Sequence, residues 1–143
     1  MNNKSGFTLL EILVVVMIIA ILATIVGVNV IPRLGQAKAA AATAQIEIFK
    51  TALSLYRMDN DCFPTQEQGL EALYEKPTIA PIPEKYFEQG YLESRKLSLD
   101  PWRHDYVYIV PGPDNQPYKI ISYGADGEPG GDGKNADISS ADM

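Results

Sequence analysis

Cysteine, histidine and positive charge are all scarce in these 143 residues. There is one cysteine, Cys62, and one histidine, His104; 12 Lys and Arg stand against 18 Asp and Glu, for a net charge of −6. A single cysteine closes no internal disulfide and is silent about compartment. The acidic balance excludes nucleic acid as a partner, because phosphate binding takes clustered Lys and Arg. No zinc-ligand spacing, phosphate-cradling glycine loop or Gly-x-Ser-x-Gly elbow occurs anywhere in the chain. Cys62 sits between Asp61 and Phe63. Acidic neighbours keep a thiol protonated, so Cys62 reads as a small buried hydrophobe rather than a nucleophile. His104 reads as an ordinary exposed loop histidine. No catalytic site is expected, and the length suits one compact domain without internal repeats.

Apolar residues make up 46% of the chain, but they are concentrated at its start. From residue 7 to 28 nearly every side chain is apolar; Thr8, Glu11, Thr24 and Gly27 are the exceptions. A run of about 20 apolar residues is what a helix needs to cross a hydrocarbon core of roughly 30 Å. A secretory signal would have a shorter apolar core closed by a small-residue cleavage site, and neither is present, so an uncleaved anchor fits better. The short flank before it carries Lys4, which places the N-terminus on the cytoplasmic side. Glu11 lies inside the run. A carboxylate there costs about 2.5 kcal/mol or more and so calls for a partner and a function. No Lys or Arg is near it along the helix. A cut between Gly6 and Phe7 would create the missing cation as a new α-amino group.

The helical pattern continues past the apolar run. Ala42, Ile46, Phe49, Leu53 and Tyr56 fall at spacings of four, three, four and three, one face of an α-helix, with polar residues around them. One long helix is expected over residues 7–58, with a kink or unwound stretch near 28–35 from Pro32 and Gly35. Asp59, Asn60 and Asp61 should end it. Thr65 with Gln68 reads as a capping box opening a short helix over 66–75. Residues 77–101 read as an ordered loop anchored by Tyr86, Phe87, Tyr91 and Leu92, and Trp102 as a plug under the strands. Residues 106–110 and 118–123 are β-rich and flank a Pro- and Gly-containing turn, a hairpin that must pack on the helix.

The C-terminal segment from Ser122 is rich in Gly and Asp. It reads either as a solvated tail or as a calcium loop, since Ca²⁺ takes six to eight oxygens and glycines let the backbone wrap around it. Asp126 and Asp137 stand eleven apart with Gly131 between them, as in an EF-hand loop, but Glu128 occupies its third position and no flanking helices are expected.

Gly6-Phe7-Thr8-Leu9-Leu10-Glu11 followed by an unbroken apolar helix resembles the class III signal of type IV pilins and type II secretion pseudopilins. That resemblance implies cleavage after Gly6 by a prepilin peptidase, N-methylation of Phe7, and pairing of Glu11 with the terminal amine of a neighbouring subunit. Residues 118–131, followed by Asn135-Ala136-Asp137-Ile138, resemble the calcium loop of the major pseudopilins of type II secretion; so do the blocks at 55–60, 63–65, 68–73, 90–92 and 100–102. This implies an α+β, type IV pilin-like fold: a long N-terminal helix, transmembrane and then amphipathic, packed on a small C-terminal antiparallel sheet with a calcium-type loop. It implies a leader at 1–6, an assembly helix at 7–31 and a periplasmic domain at 32–143. By the same resemblance the Ca²⁺ ligands are Asp126 and Asp137, with Ser122 and Asp132 as additional candidates. The implied partners are further copies of the chain, minor pseudopilins, the prepilin peptidase, and the inner-membrane platform with its secretion ATPase. The implied location is the bacterial inner membrane, single-pass, C-terminal domain in the periplasm. Arg103-His104-Asp105 stands where the family usually follows Asp-Pro-Trp with glycine, and no tryptophan follows Ile138. Two other readings stay open: a type IV pilin or minor pseudopilin of an adhesion or DNA-uptake filament, and an anchored calcium-binding protein that never polymerises.

Overall fold

A computed structural model describes residues 6–143, with side chains except at 25–32. Its contacts form two units, Met1–Gln36 and Ala37–Met143. One helix, α1 (Leu9–Asn60), contributes to both. The helix is continuous through Pro32 and Gly35, so the expected unwound stretch is not there: proline removes one N–H donor, and the ladder on either side of it still forms. Residues 1–5, with Lys4 and most of the expected leader, lie outside the described residues.

In the first unit every large apolar side chain among residues 7–22 is solvent-exposed, from 46% at Val14 to 86% at Leu9. These residues cover all sides of the helix, so no one face stands out as its packing face. Among the described residues no helix is long and apolar enough to cross a membrane.

The second unit is built on the amphipathic part of α1. Ala42, Ile46, Phe49, Leu53 and Tyr56 are all at most 1% exposed, as their spacing predicts. They share a core with Leu70, Leu73, Leu92, Tyr108 and Ile120. The helix ends where Asp61 takes a left-handed φ of 60° and its N–H returns to the Arg57 carbonyl at 2.8 Å, an αL cap. That reversal turns Cys62 outward. The thiol is exposed, which corrects the expectation of burial.

The expected helix over 66–75 is shorter and tighter, a turn leading into a 3₁₀ helix at Leu70–Leu73. Its capping box is present in both directions: Gln68 N–H donates to Thr65 Oγ1 (3.2 Å), and Thr65 N–H donates to Gln68 Oε1 (3.0 Å). The buried Gln68 also donates through Nε2 to the carbonyls of Ile79 and Pro81, both at 2.8 Å, so one side chain holds the cap and the loop beyond it. Of the expected loop anchors, Tyr86 and Tyr91 stack edge to face in a chain onto Tyr56, with centroids 5.4 Å apart at each step, and Leu92 is buried. Phe87 is 56% exposed and anchors nothing. Gly90 N–H closes a tight turn onto the Phe87 carbonyl (2.7 Å), while Tyr91 and Leu92 both bond back to Leu73; the side chains after that turn face the core and Phe87 does not.

The hairpin forms as β1 (Val107–Ile109) and β2 (Lys119–Ser122), antiparallel with Tyr108 opposite Ile120. Asp114 and Asn115 both have positive φ, and Gln116 N–H bonds Pro113 O at 3.0 Å, the twist that suits a hairpin. Sequence reading missed a third strand, β3 (Ile138–Ser139), which pairs antiparallel with β2. Two residues are too few to show an alternating pattern. The sheet order is β1-β2-β3.

Gln68→Ala removes three hydrogen bonds from a buried position. It should lower unfolding stability by about 2–3 kcal/mol at one net bond each, measured by urea titration of the chain in detergent micelles.

Candidate functional site

Three places bear on function: the N-terminus, the C-terminal loop, and a buried carboxylate beside that loop. At the N-terminus Gly6 and Phe7 are exposed, Phe7 at 85%. Thr8 caps α1. Its N–H and Oγ1 both donate to Glu11 Oε2, at 2.9 and 3.0 Å, and Glu11 N–H donates to Thr8 Oγ1 at 3.2 Å. This is a capping box, and it gives Glu11 a local role that the sequence reading did not assign. The signal was available: Thr8-Leu9-Leu10-Glu11 is the pattern of Ser or Thr followed three residues later by Glu, ahead of an apolar run. Both bonds to the carboxylate fall on Oε2.

The loop from Gly124 to Asp137 is held by backbone bonds across it: Ala125 N–H to Lys134 O (3.0 Å) and Asn135 N–H to Asp132 O (3.1 Å). Gly124 needs to be glycine, because its φ is 65° and a Cβ there would come within 2.8 Å of the Asn135 carbonyl carbon. Asp126, Asp132 and Asp137 are exposed, and among the described residues none is in an ion pair. Asp137 accepts the Gly130 N–H on both oxygens at 3.0 Å, while Asp126 Oδ1 accepts Glu128 N–H at 3.3 Å. Ser122 is apart from them, fully buried in β2. Its hydroxyl donates to Asp100 Oδ2 at 2.6 Å. The donors on the loop are all oxygens, the class a hard cation such as Ca²⁺ takes. Among the described residues no three acidic, histidine or cysteine side chains converge.

Asp100 is the node that sequence reasoning passed over. It is 3% exposed. Oδ1 accepts the N–H groups of Trp102 (2.9 Å) and His104 (2.8 Å), and Oδ2 accepts Ser122. These bonds fold residues 100–104 into a turn in which Arg103 has φ 78°. Trp102 is half-buried with Lys38 Nζ 5.9 Å from its ring centre. His104 is not a free loop histidine. Its Nδ1 lies 3.1 Å from the Gly124 carbonyl, and its ring fills the space above Gly127, where a Cβ would come within 3.1 Å of it. Asp100 thereby joins β2, the turn before β1 and the C-terminal loop. Asp followed by Pro marks a turn in sequence, but only the fold shows which strand the carboxylate meets.

Residues 29–141 match the family described as type II secretion system (T2SS), protein G, and residues 1–27 match the prokaryotic N-terminal methylation motif. A type II secretion system core protein G from Pseudomonas aeruginosa is 45% identical over 141 residues, covering 99% of this chain and 97% of that one. The protein of that name from Vibrio cholerae is 44% identical, covering 96% and 92%. The crystal structure of the major pseudopilin from the type 2 secretion system of enterohaemorrhagic Escherichia coli superposes with a TM-score of 0.68 at 35% identity, over 80% of this chain and 96% of that one.

Asp100→Ala strips the acceptor from two amides and a buried hydroxyl. It should cost about 3 kcal/mol or more, and Asp100→Asn, which keeps one acceptor oxygen, should cost less; denaturant unfolding of both variants measures the difference.

Proposed function

The chain belongs to the protein G family of type II secretion systems, and from that membership we infer that it is a major pseudopilin, the repeating structural subunit of the filament that drives protein export. It is a structural subunit and not an enzyme. The observation that carries this reading is the start of α1: among its described residues the apolar side chains from Leu9 to Leu22 are exposed on all sides of the helix, with a single carboxylate, Glu11, near its start. Such a surface is stable only in lipid or packed among equivalent helices.

The cycle follows from these parts. The precursor sits in the bacterial inner membrane with residues 1–6 cytoplasmic, residues 7–31 in the bilayer and the remainder periplasmic. Prepilin peptidase removes residues 1–6 and methylates Phe7. The inner-membrane platform and its ATPase raise subunits into a helical homopolymer capped by minor pseudopilins. In the filament core Glu11 meets the Phe7 amine of a neighbour. The Thr8 cap supports this pairing, because it occupies Oε2 and leaves Oε1 for the incoming amine. The C-terminal loop would take Ca²⁺ through Asp126 and Asp137, with Asp132 as a further ligand, while Ser122, buried and bonded to Asp100, stays outside the set; the ion would neutralise acidic charge gathered on one loop. Exposure of the three aspartates, and their freedom from cationic partners among the described residues, support this assignment.

Glu11→Ala, expressed with the rest of the secretion system, should still be inserted and should still begin at methylated Phe7 by mass spectrometry. Filaments should be lost, because each neighbour's amine is left unpaired in an apolar core at a cost on the order of 2.5 kcal/mol. Normal filaments by electron microscopy refute the pairing. For the loop, Ca²⁺ at about a hundred times its Kd should stabilise the chain by about 2.7 kcal/mol, a rise of several degrees in Tm. Asp126→Ala should abolish that rise, and a parent chain whose Tm ignores millimolar Ca²⁺ has no such site.

A further inference from the structure

β1 is an edge strand of the sheet. Val107, Tyr108 and Ile109 lie opposite Ile121, Ile120 and Lys119; alternate residues of an antiparallel strand turn their backbone groups away from the partner, and the bonds of Gln66 to the Tyr108 carbonyl and the Val110 N–H mark Tyr108 as the outward one. On that outer side Gln66 Nε2 donates to the Tyr108 carbonyl at 2.6 Å, and Gln66 Oε1 accepts the Val110 N–H at 2.9 Å. The carbonyl of one residue and the N–H of the residue two further on are the pair that a single residue of an added parallel strand engages. The Gln66 carboxamide therefore fills one rung of a ladder whose outer strand is missing. Its position is fixed on both sides. The Thr65–Gln68 capping box holds the turn that carries it, and Tyr108 Oη donates to the Pro64 carbonyl at 3.0 Å. Immediately beyond Val110 stands Pro111, which has no N–H to offer.

An open strand edge is a template for another chain, and natural proteins block such edges. A subunit that reaches high local concentration in a membrane or filament is especially exposed to that hazard. We propose that Gln66 is the plug of this edge: its carboxamide occupies the rung on which β1 of a second copy would pair, and so keeps copies from associating through their sheets. This goes beyond the filament reading and does not depend on it.

The test uses the full chain in detergent micelles, comparing Q66A and Q66K with the parent. Amide exchange is read at Val110, with Ile121 in the inner strand β2 as the control for fold. Light scattering and thioflavin fluorescence read association at rising protein concentration. In Q66A the Val110 amide should exchange about fivefold faster or more, the loss of one hydrogen bond, and thioflavin-positive assemblies absent from the parent should appear. Q66K should lose the same protection without assembling, because an edge lysine resists strand pairing by its charge. Val110 protection unchanged in Q66A overturns the proposal, as does protection lost with association equal to the parent's. A Q66A chain that also loses Ile121 protection is replaced by Q66L, which keeps the side chain's bulk; Q66L associating no more than the parent overturns it equally.

Discussion

The second unit stands on the stripe that Ile46, Phe49, Leu53 and Tyr56 present along α1. The strands it supports are three, four and two residues long. A sheet that small has no independent stability in water, because a short hairpin buries too little apolar surface to offset the ordering of its backbone. Tyr108 and Ile120 face the helix and are buried against it, and the 3₁₀ turn adds Leu70 and Leu73 to the same core. Edge-to-face contacts extend this core outward: Phe49 to Tyr106 at 5.2 Å, Phe63 to Tyr118 at 4.9 Å, and Tyr56 to Tyr91 to Tyr86. Tyr106 and Tyr91 tie the segment before β1 and the 77–101 loop to the stripe, and Phe63 ties the segment after α1 to Tyr118. Burial of the Tyr108 hydroxyl pushes its pKa up, so at physiological pH it remains a donor to the Pro64 carbonyl.

With so little regular secondary structure, much of the loop backbone cannot find partners in ladders. Three polar side chains take their place. Gln68 satisfies a turn and two loop carbonyls, Asp100 organises the turn before the sheet and reaches β2, and Gln66 completes the outer edge of β1. Gln68 and Asp100 are buried, and buried polar groups are costly when unpaired and cheap when fully paired. The arrangement therefore specifies one set of loop positions instead of many similar ones. His104 adds a contact from this network to the Gly124 carbonyl of the C-terminal loop.

Along α1 the first unit follows the opposite logic. There the side chains are apolar on all sides, and the one carboxylate is satisfied locally by the Thr8 cap. A helix of this kind has no folded-state reason to be apolar all round; its reason lies in the surroundings it enters. The capping box also bears on assembly. It fixes the Glu11 side chain close to Phe7; under the proposed cleavage and pairing, that orients the charge before a neighbour arrives.

The long helix, its buried stripe, its end at Asn60, the capping box at Thr65 and the hairpin were legible in sequence because each is written in residues close together along the chain. The 3.6-residue period, a hydroxyl followed three residues later by a carboxamide, and β-rich runs around a turn are local patterns, as are the cleavage and methylation motifs and the glycines and aspartates of the final loop. Several features had no such signature. β3 is two residues whose strand character exists only against β2. The orientation of Cys62 and Phe87 follows from left-handed and tight turns on either side of them. Asp100 and Gln66 are ordinary polar residues until Ser122 and the edge of β1 are brought beside them, 22 and about 43 positions away along the chain. Local residue order determined the long helix, its end, the capping box at Thr65 and the hairpin. The tertiary structure alone decided which polar groups hold those elements together, because those contacts depend on distance in space and leave no periodicity behind.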